Sequence, residues 1–274
     1  MHIHNPDTTA RMLSRRALCS LPLSLTGLVL TGRQAQAQIS GMGDAINKAG
    51  RQRMLSQRMS KAWMSMGLGV QTEYAGKVLD QSMAIFDRQL AELKAFAPTA
   101  EIRGTYQQME AEWSDYKSVL IVTTPSLEQA KLMLGHAGKV LASAHKSTGM
   151  LEQHSGKPSA KLVNVAGRQR MLSQRMAQFY LAVLWNIDNA ASQRELAKAR
   201  DEFVPALETL RNAPEATEQI RQELVLADSQ WLFFDNALKA RSAGQKAATD
   251  VFVTSENLLQ VMDRITSMYS RILG

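Results

Sequence analysis

The chain has 274 residues, enough for two domains of ordinary size, with 32 Lys and Arg against 25 Asp and Glu and a formal net charge of +7. A single cysteine, Cys19, excludes a disulfide framework. That excess overstates any case for nucleic acid, because it shrinks once the N-terminus is set aside.

Residues 1–37 read as an export signal. Ser14-Arg15-Arg16-Ala17-Leu18 is a twin-arginine pair leading into a modest apolar run, Ala17 to Leu30, and a small-x-small cleavage site at Ala35-Gln36-Ala37. That run is shorter than the roughly 20 apolar residues a bilayer span needs. Export by the twin-arginine route, cleavage after Ala37 and a periplasmic product are expected. Cleavage removes Cys19, together with Arg11, Arg15, Arg16 and Arg33 against one acid, Asp7, so the mature chain is thiol-free and less basic than the whole. No later segment is apolar for the length of a membrane span.

The mature chain repeats itself. AGRQRMLSQRM stands at 49–59 and again, letter for letter, at 166–176. Gly50 falls opposite Gly167 and Phe86 opposite Phe203 at one offset. Trp113 falls opposite Trp231 and Met150 opposite Met268 at an offset one residue longer. Two tandem units are expected, 38–156 and 157–274, joined near Ser155-Gly156-Lys157-Pro158-Ser159.

Apolar spacing predicts helices over Ala45–Tyr74, Lys77–Ala95, Ala100–Val122 and Ser126–Gln153 in the first unit. The breaks fall at Gly76, Pro98-Thr99 and Thr123-Thr124-Pro125. The second unit repeats the scheme, with breaks at Ala213-Pro214-Glu215 and Ser242-Ala243-Gly244. The fold class is all-α: two tandem antiparallel four-helix bundles. An even helix count returns each bundle to its starting end, so the two first helices can lie parallel and facing, making an intramolecular pseudo-dimer.

On a helix turning about 100° per residue, Gln57 and Lys61 fall within roughly 20° of Gly50, with Arg53 about 60° to one side. Asn47, Met54, Arg58 and Arg51 form an adjacent stripe, while Leu55, Met59 and Trp63 face the opposite side and belong in the core. Glycine inside a helix costs about 1 kcal/mol relative to alanine, and close approach of a partner or ligand is a useful return. Guanidinium forks around such a notch match a small trigonal oxyanion. Two facing notches would set Arg53, Arg58, Arg170 and Arg175 around one cavity. Core packing explains an unchanged Leu55 or Met59 in the two copies, but not an unchanged Arg51, Gln52, Arg53 and Gln57.

INKAGRQRMLSQRMSK (46–61) and VNVAGRQRMLSQRMAQ (163–178) resemble the P-box helix of the nitrate-sensor family. That family comprises the periplasmic domains of nitrate-responsive histidine kinases and the PilJ-type N-terminal domains of chemotaxis transducers. The match runs through Asn47, Ala49, Gly50, Arg53, Met54, Ser56 and Arg58, and through Asn164, Ala166, Gly167, Arg170, Met171, Ser173 and Arg175. The resemblance implies nitrate or nitrite bound between two P-box helices. Arg53 and Arg170 would be the principal ligands, Gly50 and Gly167 the points of close approach, and Met54 and Met171 the closing residues. Arg58 and Arg175 would add charge nearby, with Asn47, Gln57, Asn164 and Gln174 in support. Such sensors feed a kinase or methyl-accepting module; none is expected before Gly274, so the signal is expected to pass to a separate membrane sensor or transporter.

Neither an enzyme, a metal site nor a cofactor is expected. His136, His145 and His154 recur every nine residues, which fails the spacing of metal ligands, and read as surface residues of one helix. A membrane-surface protein would need an exposed aromatic rim. The remaining alternative is a helical interaction scaffold whose cationic face binds an acidic protein.

Overall fold

The computed structural model describes residues 38–240 and 244–274. The export signal read over residues 1–37 lies outside them. Eight helices run in order: α1 (Met42–Gly67), α2 (Thr72–Phe96), α3 (Ala100–Val122), α4 (Leu127–Ser155), α5 (Pro158–Leu184), α6 (Asn189–Arg211), α7 (Glu218–Lys239) and α8 (Gln245–Leu273). No strand occurs among the described residues.

Local chemistry sets most boundaries. Thr99, Ser126 and Thr217 each accept from the backbone N–H three residues on, satisfying an orphan donor at the start of α3, α4 and α7. α4 ends on Gly156 in the left-handed region (φ 63°), and Pro158 opens α5, so a helix break falls within Ser155–Ser159. The first expected break, at Gly76, is displaced. Gly76 lies within α2, and the chain turns instead at Leu68–Gln71 through Gly69 (φ 69°) and Gln71 (φ 49°). The second unit makes the corresponding turn through Asn186 (φ 58°) and Asp188 (φ 43°), residues that tolerate left-handed backbone. Both turns are closed by equivalent bonds, Val70 N–H to Ser65 C=O and Ile187 N–H to Ala182 C=O, each 2.9 Å. Of the last expected break, Ser242 and Ala243 lie outside the described residues, and α8 follows Gly244 directly.

Each set of four helices closes on itself around a repeated aromatic core. Phe86 packs on Trp113 at 4.3 Å and Phe203 on Trp231 at 4.5 Å, and each Trp meets a third ring edge-on, Tyr116 or Phe234. Leu55, Met59 and Trp63 are buried in their own bundle as the helical wheel requires.

The two bundles join through their first helices. α1 and α5 pack along one another, with α8 alongside α1 and α4 alongside α5. Gln57 on α1 accepts from Arg175 on α5, and farther along Trp63 meets Trp185 at 6.0 Å, so the two helices run the same way. The Trp185 ring packs onto Gly67, where any side chain would collide with it: a Cβ would stand 2.1 Å from Cη2.

Candidate functional site

The closest approach of α1 to α5 is at the paired glycines. A Cβ on Gly50 would stand 3.8 Å from the Gly167 Cα, 3.1 Å from Arg53 Nη2 and 3.5 Å from Arg170 Nη2. From Gly167 the guanidinium distances would be 3.3 Å each. The two arginines therefore converge over the glycine pair, one from each repeat, and both are fully buried. Each reaches across to the opposite helix: Arg53 Nη2 donates to the Asn164 carbonyl (3.1 Å) and Arg170 Nη2 to the Asn47 carbonyl (3.0 Å). These are exchanged copies of one contact. Side chains on a helix point toward its N-terminus, which is why Arg53 and Arg170 meet carbonyls one to two turns back on the parallel neighbour. Carbonyl acceptors offset the mutual repulsion that facing guanidiniums otherwise suffer.

Burial lowers the Arg53 pKa to about 9, helped by the neighbouring charges of Arg168 and Arg170. Arg170 falls only to about 10, because Asp263 on α8 opposes the effect of burial. Asp263 bridges Arg170 Nη1 and Arg51 Nη2. Although burial pushes its carboxyl up, Arg170 and Arg51 win and hold it at about 2. Among the described residues Arg53 has no carboxylate within salt-bridge distance. Its Nη1 lies 3.5 Å from His145 Nδ1 on α4, and its Nε has no hydrogen-bond partner.

The family model for the N-terminal region of type IV pili methyl-accepting chemotaxis transducers, PilJ, matches residues 35–137 and again 153–268. The chain belongs to the PilJ family. No curated protein and no solved structure matches it. Both copies of the P-box helix thus lie within PilJ repeats, in a family of sensory and signalling domains.

In this double PilJ protein the remaining site residues divide by face. Arg58 and Arg175 do not join Arg53 and Arg170 over the glycines. Arg58 turns to α8, where Glu256 accepts from its Nε (3.0 Å) and Nη2 (2.5 Å), and to Ser82 on α2. Arg175 donates to Gln57 Oε1 (2.8 Å) and Glu195 on α6 (2.7 Å) and lies over the Phe179 ring. Met54 and Met171 are buried but line two flanking cavities, not the glycine gap. One cavity, about 450 Å³, lies between α1, α2 and α8 beside Arg51, Arg58, Glu256 and Asp263. The other, about 240 Å³, lies between α4, α5 and α6 beside His145, Arg168, Arg175 and Glu202. Superposing the repeats by sequence makes these cavities counterparts. Asn47 and Asn164 contribute their carbonyls; Gln174 is spent on Ser173 and the Ser255 carbonyl, and Gln57 also donates to Ser56.

Three residues left out of the site expected from the sequence, Lys61, Asp263 and His145, carry part of the cluster. Lys61 is fully buried, bonded to Glu256 (2.6 Å) and Ser255 (3.0 Å), and packs over the Phe252 ring. Asp263 and His145 stand at corresponding positions of α8 and α4 under the offset that pairs Trp113 with Trp231. That offset was the available signal. His145 is on the surface as expected, yet its Nδ1 is shared by Arg53 and, at 3.3 Å, Arg168.

Proposed function

We propose that the protein is a sensor for a small planar oxyanion, nitrate or nitrite, held between the P-box helices α1 and α5. The observation that carries this reading is the pair of fully buried guanidiniums, one per repeat, meeting over a glycine notch. A buried cation without a carboxylate in contact is costly, by several kcal/mol in ordinary cases. Among the described residues Arg53 has none in contact, Glu152 and Glu202 acting on it only from farther off. A planar monoanion would accept charge-assisted bonds of about 1.5–3 kcal/mol each from such groups. After the costs of ordering, a dissociation constant between about micromolar and millimolar follows.

Binding would act on the α1–α5 packing, since the same side chains that meet the anion also bridge the two helices. The repeats 38–156 and 157–274 would then work as two halves of one sensor. Exported through the twin-arginine route, the protein would act in the periplasm and pass its state to a separate membrane sensor or transporter. No described helix is long and apolar enough to cross a membrane. The scaffold alternative needs its cations on a surface open to an acidic protein, and the burial of Arg53, Arg170 and Lys61 weighs against it.

Titration calorimetry of the mature chain with sodium nitrate and sodium nitrite tests the reading. One anion per chain is expected, with binding abolished by Arg53→Ala and by Arg170→Ala while helicity is kept. Wild-type affinity retained in both variants would overturn it.

A further inference from the structure

The two halves of the arginine cluster carry their acid on different helices, Asp263 on α8 in one and Glu202 on α6 in the other. On α8, Asp263 sets its carboxylate between Arg170 and Arg51, with Arg51 Nη2 at 2.9 and 3.2 Å from its two oxygens. On α4 the corresponding residue is His145, whose Nδ1 sits between Arg53 and Arg168 at 3.5 and 3.3 Å. Two guanidinium donors directed at Nδ1 select the neutral ring with its proton on Nε2. His145 offers these arginines one lone pair and no charge, where Asp263 offers their counterparts two oxygens and a full negative charge. Glu202 on α6 accepts from Arg168 Nε and Nη2, so Arg53 is the one of the pair left without a carboxylate in contact. Asp263 is a worked example, inside the same molecule, of the group this pair of arginines takes: planar, two-oxygened and monoanionic.

The surroundings of His145 also suit a guest. It lines the cavity of about 240 Å³ between α4, α5 and α6, whose remaining wall includes Leu141, Met171 and Leu172 beside Arg168. The charged groups facing the ring are Arg53 from α1, Arg168 from α5 and Glu202 from α6, with Lys198 of α6 on the same cavity wall.

We propose that a small planar monoanion, a carboxylate or trigonal oxyanion, binds between Arg53 and Arg168 at His145, and that it enters together with a proton taken up by the imidazole. The place is the one that the Asp263 carboxylate fills in the other half. The proposal rests on the anion-sensing reading and narrows it to one side of the cluster. Proton uptake follows from the contacts. A neutral Nδ1 turns a lone pair toward the incoming oxygen and repels it, whereas an imidazolium donates to it. Partial burial, and then Arg53 and Arg168, hold the His145 pKa below its ordinary 6.5. A bound anion cancels the effect of the two arginines and raises that pKa, so by linkage lower pH strengthens binding.

Calorimetry with sodium nitrate and sodium formate, on the wild-type chain between about pH 8 and pH 6, tests the proposal. Affinity is expected to rise with acidification, by up to about tenfold per pH unit. In His145→Gln the amide still faces the arginines but cannot titrate, and the pH dependence should vanish while binding remains. In His145→Asp the chain supplies its own carboxylate, so affinity should fall by more than about tenfold and the melting temperature without added anion should rise. A pH slope that survives in His145→Gln, or undiminished binding in His145→Asp, overturns the His145 site. If Arg53→Ala abolishes binding at the same time, the anion-sensing reading stands without it. Failure of the wild-type chain to bind either anion at any pH overturns both.

Discussion

Replacing Glu256 by glutamine removes the one carboxylate that serves both Arg58 and Lys61 across the join between the two repeats. Its side chain is only 5% exposed and Lys61 is fully buried, so solvent screens the interaction little. Burial alone would raise the Glu256 pKa; Lys61 and Arg58 reverse that and hold it at about 2 instead of 4.5. At about 1.4 kcal/mol per pKa unit the difference amounts to roughly 3 kcal/mol. That agrees with the cost of about 3–5 kcal/mol for removing one partner from a buried ion pair. For a chain of this size the melting temperature should drop by roughly 6–12 °C. Because the folded pKa is depressed, the wild-type contribution is complete above pH 4.5 and disappears as the pH falls toward 2. Lys61 behaves oppositely at alkaline pH. Burial lowers it from 10.5 to about 8, so its charge costs stability below pH 8 and that cost is relieved as the pH rises toward 10.5. In Glu256→Gln the relief begins below pH 8. Urea denaturation followed by circular dichroism at about pH 7 and pH 9 should therefore show a gap between variant and wild type that narrows at the higher pH. A loss under about 0.5 kcal/mol, the size of an ordinary surface change, would refute the reasoning, as would an unchanged gap.

Two further substitutions separate close approach from stability. Gly50→Ala with Gly167→Ala should keep the fold and its melting temperature nearly unchanged, since better helix propensity, about 1 kcal/mol per site, offsets the crowding. The new methyls would stand 3.1–3.5 Å from the guanidinium ends, so calorimetry should show nitrate affinity reduced by at least about tenfold, in line with the loss of a single charge-assisted bond. Gly67→Ala, by contrast, drives a methyl into the Trp185 ring; overpacking of this kind costs about 1–3 kcal/mol, and near-ultraviolet circular dichroism should register a disturbed Trp63–Trp185 pair. Tyr116→Phe should cost about 1 kcal/mol in urea denaturation, because its buried hydroxyl donates to the Ser56 carbonyl at 2.9 Å, a bond its counterpart Phe234 does without.

Much of this site is legible in one turn of helical wheel. Gly50, Arg53 and Gln57 fall on one face, and that face meets α5: Gly50 at Gly167, Arg53 at Asn164, Gln57 at Arg175. The neighbouring stripe of Arg51, Met54 and Arg58 lines a single cavity toward α2 and α8. The wheel assigns a direction to each side chain but no partner. Facing two such wheels therefore gathers Arg58 and Arg175 around the same gap as Arg53 and Arg170, although acids on the adjoining helices α8 and α6 claim them. Those acids, Glu256 and Glu195, lie 198 and 20 residues from their arginines along the chain, and nothing in the local pattern marks them. His145 escapes for a related reason. Judged against its own helix it is one of three surface histidines, and only its alignment with Asp263 in the second repeat gives it a role. The turn at Leu68–Gln71 is missed because Gly76 is the more obvious breaker, while the left-handed residues that turn the chain include Gln71, which carries no such signal.

The measurement closest to the core of the matter is nitrogen-15 NMR of the arginine side chains during a nitrate titration. Arg53 and Arg170 are fully buried, so their guanidinium protons should exchange slowly and give resolved signals. Both sets of signals should shift together, with a common midpoint and saturation at one nitrate per chain. In Gly50→Ala with Gly167→Ala that midpoint should move to nitrate concentrations at least about tenfold higher. Signals of Arg53 and Arg170 that stay fixed while those of exposed arginines move would show that anions meet this protein only at its surface.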